Sequence, residues 1–564
     1  MRVVAVLGAV LVCGDVAAAP KPSATLRLTA RCDTGELEVA LSARIAGKPV
    51  FRLDDVVHGS PGMAKLVSAA EASDAKGALP LVRRDGATLE LVGSRAASGV
   101  VTLRYRARSI AMTDRGARYG LRHDATGIGG LGAFFFVLPE SRRRERIAIE
   151  WAPATGCPGM QGLASVKELT GELAELRAVA VFFGKPRQHA APDGSLNAAW
   201  FGTPAFDTAA ASEWAGKAYA AQRAFFGDRD RAPYRVFVRV VPGMGERANG
   251  MGQPSSMLSA IGPSTPYGQR VRTNLAHEML HRWLGMRLRI AGAEGLGYWF
   301  TEGFTVHYAN VLLLRAGLVT PDEFLAEVNG TVTRHVANPR SAASNAEIAR
   351  DFTTDDAASI VPYTRGALYA AELDAAIRRA SRDRRSLDDL IRGLYRTGPR
   401  EVPVTRFRAA VAREAGRAGA ARFDAVILRG AAPDPPSDAF GPCFERVARA
   451  IAGFELGFDD RRSLGESKIR GLVAGSAAAK AGLREGDTLV ELEATPMLSD
   501  REVRVTIDRG KPIVIRYLPA GPTRPGFSWQ HAPARSPRCS DRRHPRRSTS
   551  STPRSASPRR RARS

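Results

Sequence analysis

The sequence predicts a multidomain α+β protein, with an antiparallel β domain first, a mainly helical domain next and a small compact segment near the C-terminus. Three observations predict it. Short alternating runs, punctuated by Gly, Asp and Pro, fill residues 25–151. Apolar residues at helical spacing dominate residues 273–418. A Pro-rich linker, AAPDPPSDAFGPC (431–443), then precedes Gly turns and short strands over residues 450–519. The length of 564 residues allows about three to five domains.

Composition removes several classes. A hydrophobic fraction of 44% and a charged fraction of 25% are ordinary for a globular protein. They exclude a mostly disordered chain, a collagen and a small disulfide-stapled scaffold. No apolar run reaches the ~18–20 residues of a membrane span, which excludes a polytopic membrane protein.

The net charge of +25 invites a nucleic-acid reading, but its distribution weakens that reading. Residues 521–564 hold 12 Arg, no Lys, one Asp and no Glu, a charge of +11. Subtracting +11 from +25 leaves +14 on the other 520 residues. Polycations bind phosphate, yet this Arg/Ser/Pro run has the composition of a disordered tail. No nucleic-acid partner is expected.

At the N-terminus, Arg2, the apolar run Val3–Val12 and the small residues Ala17–Ala19 form a secretory signal pattern over 1–19. The alternative is an uncleaved anchor. Export to the periplasm or medium is the expectation, with no membrane span after cleavage. Cys32 and Cys157 fall at the two ends of the first domain. In an oxidising compartment they either pair or stay as two thiols.

The first domain is placed at 24–180. Its strands are read in TLRLTA (25–30), ELEVALSARI (36–45), ATLELVG (87–93) and GVVTLRYRARS (99–109). The second is placed at 181–435. It opens with a helix in EWAGKAYAAQRAFFG (213–227) and a strand in YRVFVRVVPG (234–243). Amphipathic helices follow at 302–316, 366–380 and 404–418, with Gly317 and Pro321 punctuating the first of these. The compact segment is placed at 450–519 and the disordered tail at 521–564.

The most informative residues are His277-Glu278-Met279-Leu280-His281. Leu275, Met279, Leu280, Trp283 and Leu284 give the run helical apolar spacing. Positions i and i+4 share a helix face, so both imidazoles can bind one ion at ~2.0–2.1 Å. Glu278 stands where its carboxylate reaches the activated water without being a ligand. The bland alternative is a helix with a surface His pair. A second helix, WFTEGFTVHYANVLLLRAG (299–317), places Glu302 in its first turn, with 20 residues between it and His281. Glu302 would complete a His₂Glu site for one zinc ion per chain, with the fourth position open. The alternative for Glu302 is a carboxylate favoured by the helix dipole. His307, five residues further, is read as packing or solvated.

HEMLHRW followed by YWFTEGFTVHYA resembles the PDZ-containing glycyl aminopeptidases, metallopeptidase family sixty-one, related to aminopeptidase N and leucotriene hydrolase. The resemblance implies a thermolysin-like catalytic domain. It continues in SIVPYTRGALYAAELDAAIR (359–378). There it implies that Tyr363 donates a hydrogen bond to the tetrahedral intermediate; the alternative is a buried Tyr opening an apolar helix. IRGLVAGSAAAKAGLREGDTLVELEATPM (469–497) resembles the PDZ core of bacterial secreted proteases. Leu456, Gly457 and Phe458 match the loop that caps a peptide's C-terminal carboxylate. Such a PDZ domain either binds C-terminal peptides or only packs on the catalytic domain.

Two departures from the family stand out. The family's Gly-Gly-Leu-Glu-His run corresponds here to Asn249-Gly250-Met251-Gly252-Gln253. Gly252 occupies the place of the Glu that would hold the substrate α-amine, and Gln253 offers a weaker acceptor. Gly250, Gly252 and Gln253 are the candidate substrate-binding residues. The connection from His281 to Glu302 is also shorter than is usual in the family.

The leading reading is a secreted zinc metallopeptidase acting on peptides or proteins, with Glu278 as general base and Tyr363 as oxyanion donor. Within it, an aminopeptidase for small N-terminal residues leads. The alternatives are a zinc endopeptidase, which Gly252 favours, and a PDZ peptide-binding protein with weak or no catalysis.

Overall fold

This computed structural model describes residues 21–57, 60–112 and 119–533. The expected signal peptide and the tail beyond residue 533 lie outside them. The chain divides into two compact units. The first comprises the residues up to 187 with 200–203 and 239–243; the second comprises 188–199, 204–238 and the residues from 244 on.

The first unit is built on a seven-stranded sheet. Its strands lie in the order Glu168–Glu172, Arg144–Trp151, Ala24–Arg31, Glu36–Arg44, Val100–Arg108, Val67–Asp74 and Gly77–Leu79. The alternation legible in the sequence is the alternation of burial. Leu26, Leu28 and Ala30 on one strand and Leu37, Val39, Leu41 and Ala43 on the next all turn inward. One pairing corrects the expectation of a purely antiparallel domain, because Ala24–Arg31 runs parallel to Arg144–Trp151. Strands so far apart in sequence carry no hairpin signal, so their relative direction is set by which apolar faces meet. Cys32 and Cys157, just beyond these two strands, form a disulfide. The alternative of two thiols is thereby removed.

A five-stranded sheet, most of whose residues belong to the second unit, has the order Arg187–Ala190, Leu196–Phe201, Tyr234–Val240, Ser256–Ile261 and Ala248–Gly252. Ala248–Gly252 is an edge strand, antiparallel to Ser256–Ile261. Helices α1 (Thr208–Phe226), α2 (Gln269–Leu280), α3 (Thr305–Arg315), α4 (Pro321–Ala337), α5 (Asn345–Asp351), α6 (Asp356–Ser381), α7 (Leu387–Thr397) and α8 (Val404–Phe423) follow. Thr320 and Glu323 form a capping box with Pro321 in the first turn of α4, and Ser344 with Glu347 caps α5 likewise. Gly317, at φ +67°, lies just past the end of α3, as its place in the sequence predicts.

The segment near the C-terminus forms a small lobe of this unit. It has a three-stranded sheet, Thr488–Glu493, Val503–Asp508 and Pro512–Tyr517, with short helices α9 (Asp460–Glu466) and α10 (Ala477–Lys480). Phe458, Ile469, Leu483, Val503, Val505 and Ile507 fill its own core.

The run expected to be disordered from residue 521 departs from that expectation over its first part. Ala520–His531 is a strand paired antiparallel with Phe444–Phe454. Phe527 and Trp529 alternate inward to pack with Phe324, Leu325, Val328 and Phe444. Two aromatic residues at strand spacing outweigh the surrounding Pro and Arg.

Candidate metal centre

Helix α2 presents His277 near its C-terminal end, and His281 follows as its cap residue. Their Nε2 atoms stand 3.1 Å apart. The second ligand segment differs in detail from the regular helix expected. Trp299–Phe304 is a π-helical stretch that continues into α3, and Glu302 lies within it. Such bulges recur at functional sites because they re-aim one side chain. Here Glu302 Oε2 stands 3.3 Å from His277 Nε2 and 3.4 Å from His281 Nε2.

These three separations can be tested against a metal. Ligands at ~2.0–2.1 Å in a tetrahedron lie about 3.3 Å from one another. The observed 3.1–3.4 Å fits that edge. Among the described residues, His277, His281 and Glu302 are the group of three able to hold an ion. The local field also favours positive charge. Burial opposes the charged form of His281, yet Glu302 and Glu278 raise its pKa to about 9. Burial likewise opposes ionisation of Glu302, and the two imidazoles pull it far below the carboxylate range. Leu284 O lies 3.1 Å from His281 Nδ1, which makes Nδ1 the protonated nitrogen and frees Nε2 for a metal.

The base sits against the edge strand. Gly252 N–H donates to Glu278 Oε2 at 2.8 Å. Burial raises the pKa of Glu278, with His277 and His281 opposing it. The strand approaches so closely that side chains are excluded. A Cβ on Gly252 would lie 2.3 Å from Glu278 O and 2.6 Å from His281 Cβ, and one on Gly250 only 2.2 Å from Glu278 Cγ. Gln253 is buried, with its N–H donating to Ser256 O at 2.6 Å.

Tyr363 comes from α6. Its ring lies nearly parallel to that of His277 with centroids 6.0 Å apart. Burial, then the carboxylates of Glu302 and Glu278, hold its pKa well above the usual phenol range, so it stays a donor. Two glycines bring the segments together. A Cβ on Gly303 would lie 2.4 Å from Gly366 Cα, and one on Gly366 only 2.0 Å from Trp299 O. Pro362 inside α6 deletes one backbone bond directly before Tyr363.

Sequence reasoning missed the anchor behind His281. Asp228 accepts from Arg282 Nε at 3.1 Å, Arg287 Nη1 at 3.0 Å and Trp283 Nε1 at 2.9 Å. Asp230 accepts from Arg282 at 2.7 Å. The partners are more than 50 residues apart in the chain, and the one available signal was the doubled Asp-x-Asp after α1.

His277, Glu278, His281, Glu302, Tyr363, Gly250 and Gly252 thus converge. Leu456, Gly457 and Phe458 lie in the small lobe instead. Leu456 O accepts from Tyr517 Oη at 2.7 Å, Gly457 O accepts from Val473 N–H at 2.8 Å, and Phe458 is buried.

Residues 270–369 match the family model described as M61 glycyl aminopeptidase. That stretch contains both histidines, Glu278, Glu302 and Tyr363. Among solved structures, an aminopeptidase N family protein from Idiomarina loihiensis is similar over 90% of this chain and 98% of its own, with a TM-score of 0.67 at 14% identity. An M1 zinc metallopeptidase from Deinococcus radiodurans, in a mutant form bound to Tyr-Ser-Ala, is similar over 73% of this chain and 95% of its own, with a TM-score of 0.51 at 18% identity. Among curated proteins, none matches the chain in sequence. Residues 270–369 are therefore similar to an M61 peptidase domain, within a mixed α+β fold that has a β-rich first part and a helical part like that of M1 peptidases.

Proposed function

We propose that this zinc-dependent peptidase is an exported enzyme that removes N-terminal residues, small ones first, from peptides. The observation that carries the reading is the convergence of His277 Nε2, His281 Nε2 and Glu302 Oε2 within 3.1–3.4 Å, with Glu278 and Tyr363 beside them. Those three side chains would hold one zinc ion. Zinc supplies Lewis-acid polarisation of the scissile carbonyl and acidifies a water.

The remaining work falls to the chain's own groups. Glu278, held by Gly252 N–H and raised by burial, takes the proton of the attacking water and returns it to the leaving amine. Tyr363 donates to the oxygen on which negative charge develops, a contact worth about 2.7–4 kcal/mol in comparable sites. The free edge of Ala248–Gly252 offers backbone groups to an extended substrate.

A second reading, endopeptidase action, rests on Gly252. No side chain fits there, so no carboxylate from this strand position meets a substrate ammonium. The disulfide between Cys32 and Cys157 supports an oxidising compartment, periplasmic or extracellular. No helix of the described residues is long and apolar enough to cross a membrane. The small lobe is read as a PDZ domain, with a C-terminal peptide as its ligand at Leu456–Phe458.

The test is cleavage mapping by mass spectrometry. A peptide library with free and with acetylated N-termini meets the zinc-loaded protein and its Glu278→Gln variant. Stepwise N-terminal loss, blocked by acetylation and absent in the variant, is the expected result. Internal cleavage indifferent to acetylation would establish the endopeptidase. No cleavage at all would refute the catalytic reading.

A further inference from the structure

The small lobe touches the catalytic part of its unit at the head of α6. Arg461, in α9, places Nη2 2.5 Å from Asp356 Oδ1, and its Nη1 donates to Thr354 O. Thr354–Asp356 is the turn that starts α6. Asp355 caps it, accepting from Ala357 N–H at 2.8 Å and Ala358 N–H at 3.2 Å. Arg340 grips the same turn with Nη2 2.5 Å from Asp351 and Nη1 3.4 Å from Asp355. Phe352, the cap residue of α5 two positions before that turn, has its ring 4.6 Å from that of Tyr298, just ahead of the stretch holding Glu302.

Tyr363 lies seven residues after Asp356, two turns along one helix face and about 10 Å further on. Pro362 stands between them and lacks the N–H that would bond Ala358 O. The first turns of α6 therefore hold by fewer internal bonds and depend on their outside anchors. Removing Arg461 would also unbalance the charges. Asp460 has its pKa raised by burial and by the neighbouring Asp356, so the two carboxylates would be left to repel each other.

We propose that Arg461 is a positioning residue for catalysis, fixing the head of α6 from the small lobe and, through that helix, the place of the Tyr363 hydroxyl. This rests on the reading of Tyr363 as the oxyanion donor. A misplacement of ~1 Å at such a donor costs up to about 100-fold. An exposed two-point contact restrains less than that, and a loss of about five- to tenfold is expected.

The experiment is steady-state kinetics of the full zinc-loaded chain on a peptide it cleaves. Arg461→Ala should lower kcat about five- to tenfold with KM within about twofold, and Arg461→Lys should recover most of it. Arg516→Ala, which removes an exposed pair with Glu502 at 3.8 Å on the same lobe, controls for general damage and should leave kcat unchanged. Tyr363→Phe separates the two ideas. In that background Arg461→Ala should add nothing, because the group it positions is gone. Wild-type kcat in Tyr363→Phe would overturn the donor reading itself. An impaired Tyr363→Phe beside a fully active Arg461→Ala would overturn only the positioning role. So would an Arg461→Ala loss that persists in the Tyr363→Phe background, or equal impairment in Arg461→Lys.

Discussion

Around His281 the charges are buried and paired, whereas around Arg461 they stand in water. The side chains of Arg282 and Asp228 are 3% and 4% exposed, and those of Arg461 and Asp356 are 50% and 62% exposed. A buried pair is costly to break because one charge is left without solvent or partner; an exposed pair loses little. The metal helix is thus anchored by a buried charge pair, and the small lobe meets the head of α6 through an exposed one. Metal ligands need positions fixed to tenths of an ångström, which fits the first arrangement.

The hardest test of the buried side is chemical. Glu278→Gln keeps the shape and removes the base, so kcat should fall by about 10²–10⁴-fold with zinc content unchanged. Metal analysis beside the rate measurement checks both halves. Loss of zinc in this variant would mean that Glu278 serves the metal rather than the proton.

Next comes the anchor. Asp228→Ala removes the buried acceptor shared by Arg282, Trp283 and Arg287, leaves Arg282 with Asp230 and Pro254 O, and should destabilise the chain by about 1–3 kcal/mol, read from urea midpoints. A change below about 1 kcal/mol would erase the contrast between the two regions.

Gly252→Ala sharpens the same point at the edge strand. The added methyl would sit 2.3 Å from Glu278 O, so the strand must lift from α2. The expected loss in kcat/KM approaches about 100-fold, with overpacking of about 1–3 kcal/mol in stability. Unchanged kinetics would show that this strand is not positioned by its contact with the base.

Two histidines behind the centre make stability depend on pH. Burial, with Arg315 adding repulsion, lowers His307 to about 3; burial and Arg365 do the same for His335. Unfolded, each would titrate near 6.5, so the unfolded chain binds protons first as pH falls. Stability from these groups is full above about 6.5 and is lost toward pH 3, at about 1.4 kcal/mol per pH unit for each histidine. Urea midpoints between pH 7.5 and 5 test this, with His307→Gln reducing the slope by one histidine's share. The smallest effect belongs to the exposed side, where Arg516→Ala should change stability by less than about 1 kcal/mol.

Several local features were legible in the residue order. His277 and His281 sit at i and i+4 of one helix, and that geometry needs nothing beyond the helix itself. Alternation marked the first unit's longer strands, and Gly317 with Pro321 marked the end of α3. Glu302 was reachable because only 20 residues separate it from His281 and its segment has its own helical pattern. The strand Ala520–His531 was obscured by Arg and Pro, although Phe527 and Trp529 carried its period.

What the sequence by itself determined is therefore what short-range periodicity encodes: the donor types, their spacing along α2, several of the longer helices and the long alternating strands of the first unit. Only the tertiary structure decided which distant segments meet. The parallel pairing of Ala24–Arg31 with Arg144–Trp151, the Gly303–Gly366 approach, the Asp228 anchor and the grip of Arg461 on Asp356 all join residues more than 50 positions apart. Such contacts follow from complementary buried surfaces and from charges that need a partner once they leave water, and neither leaves a local pattern in the chain.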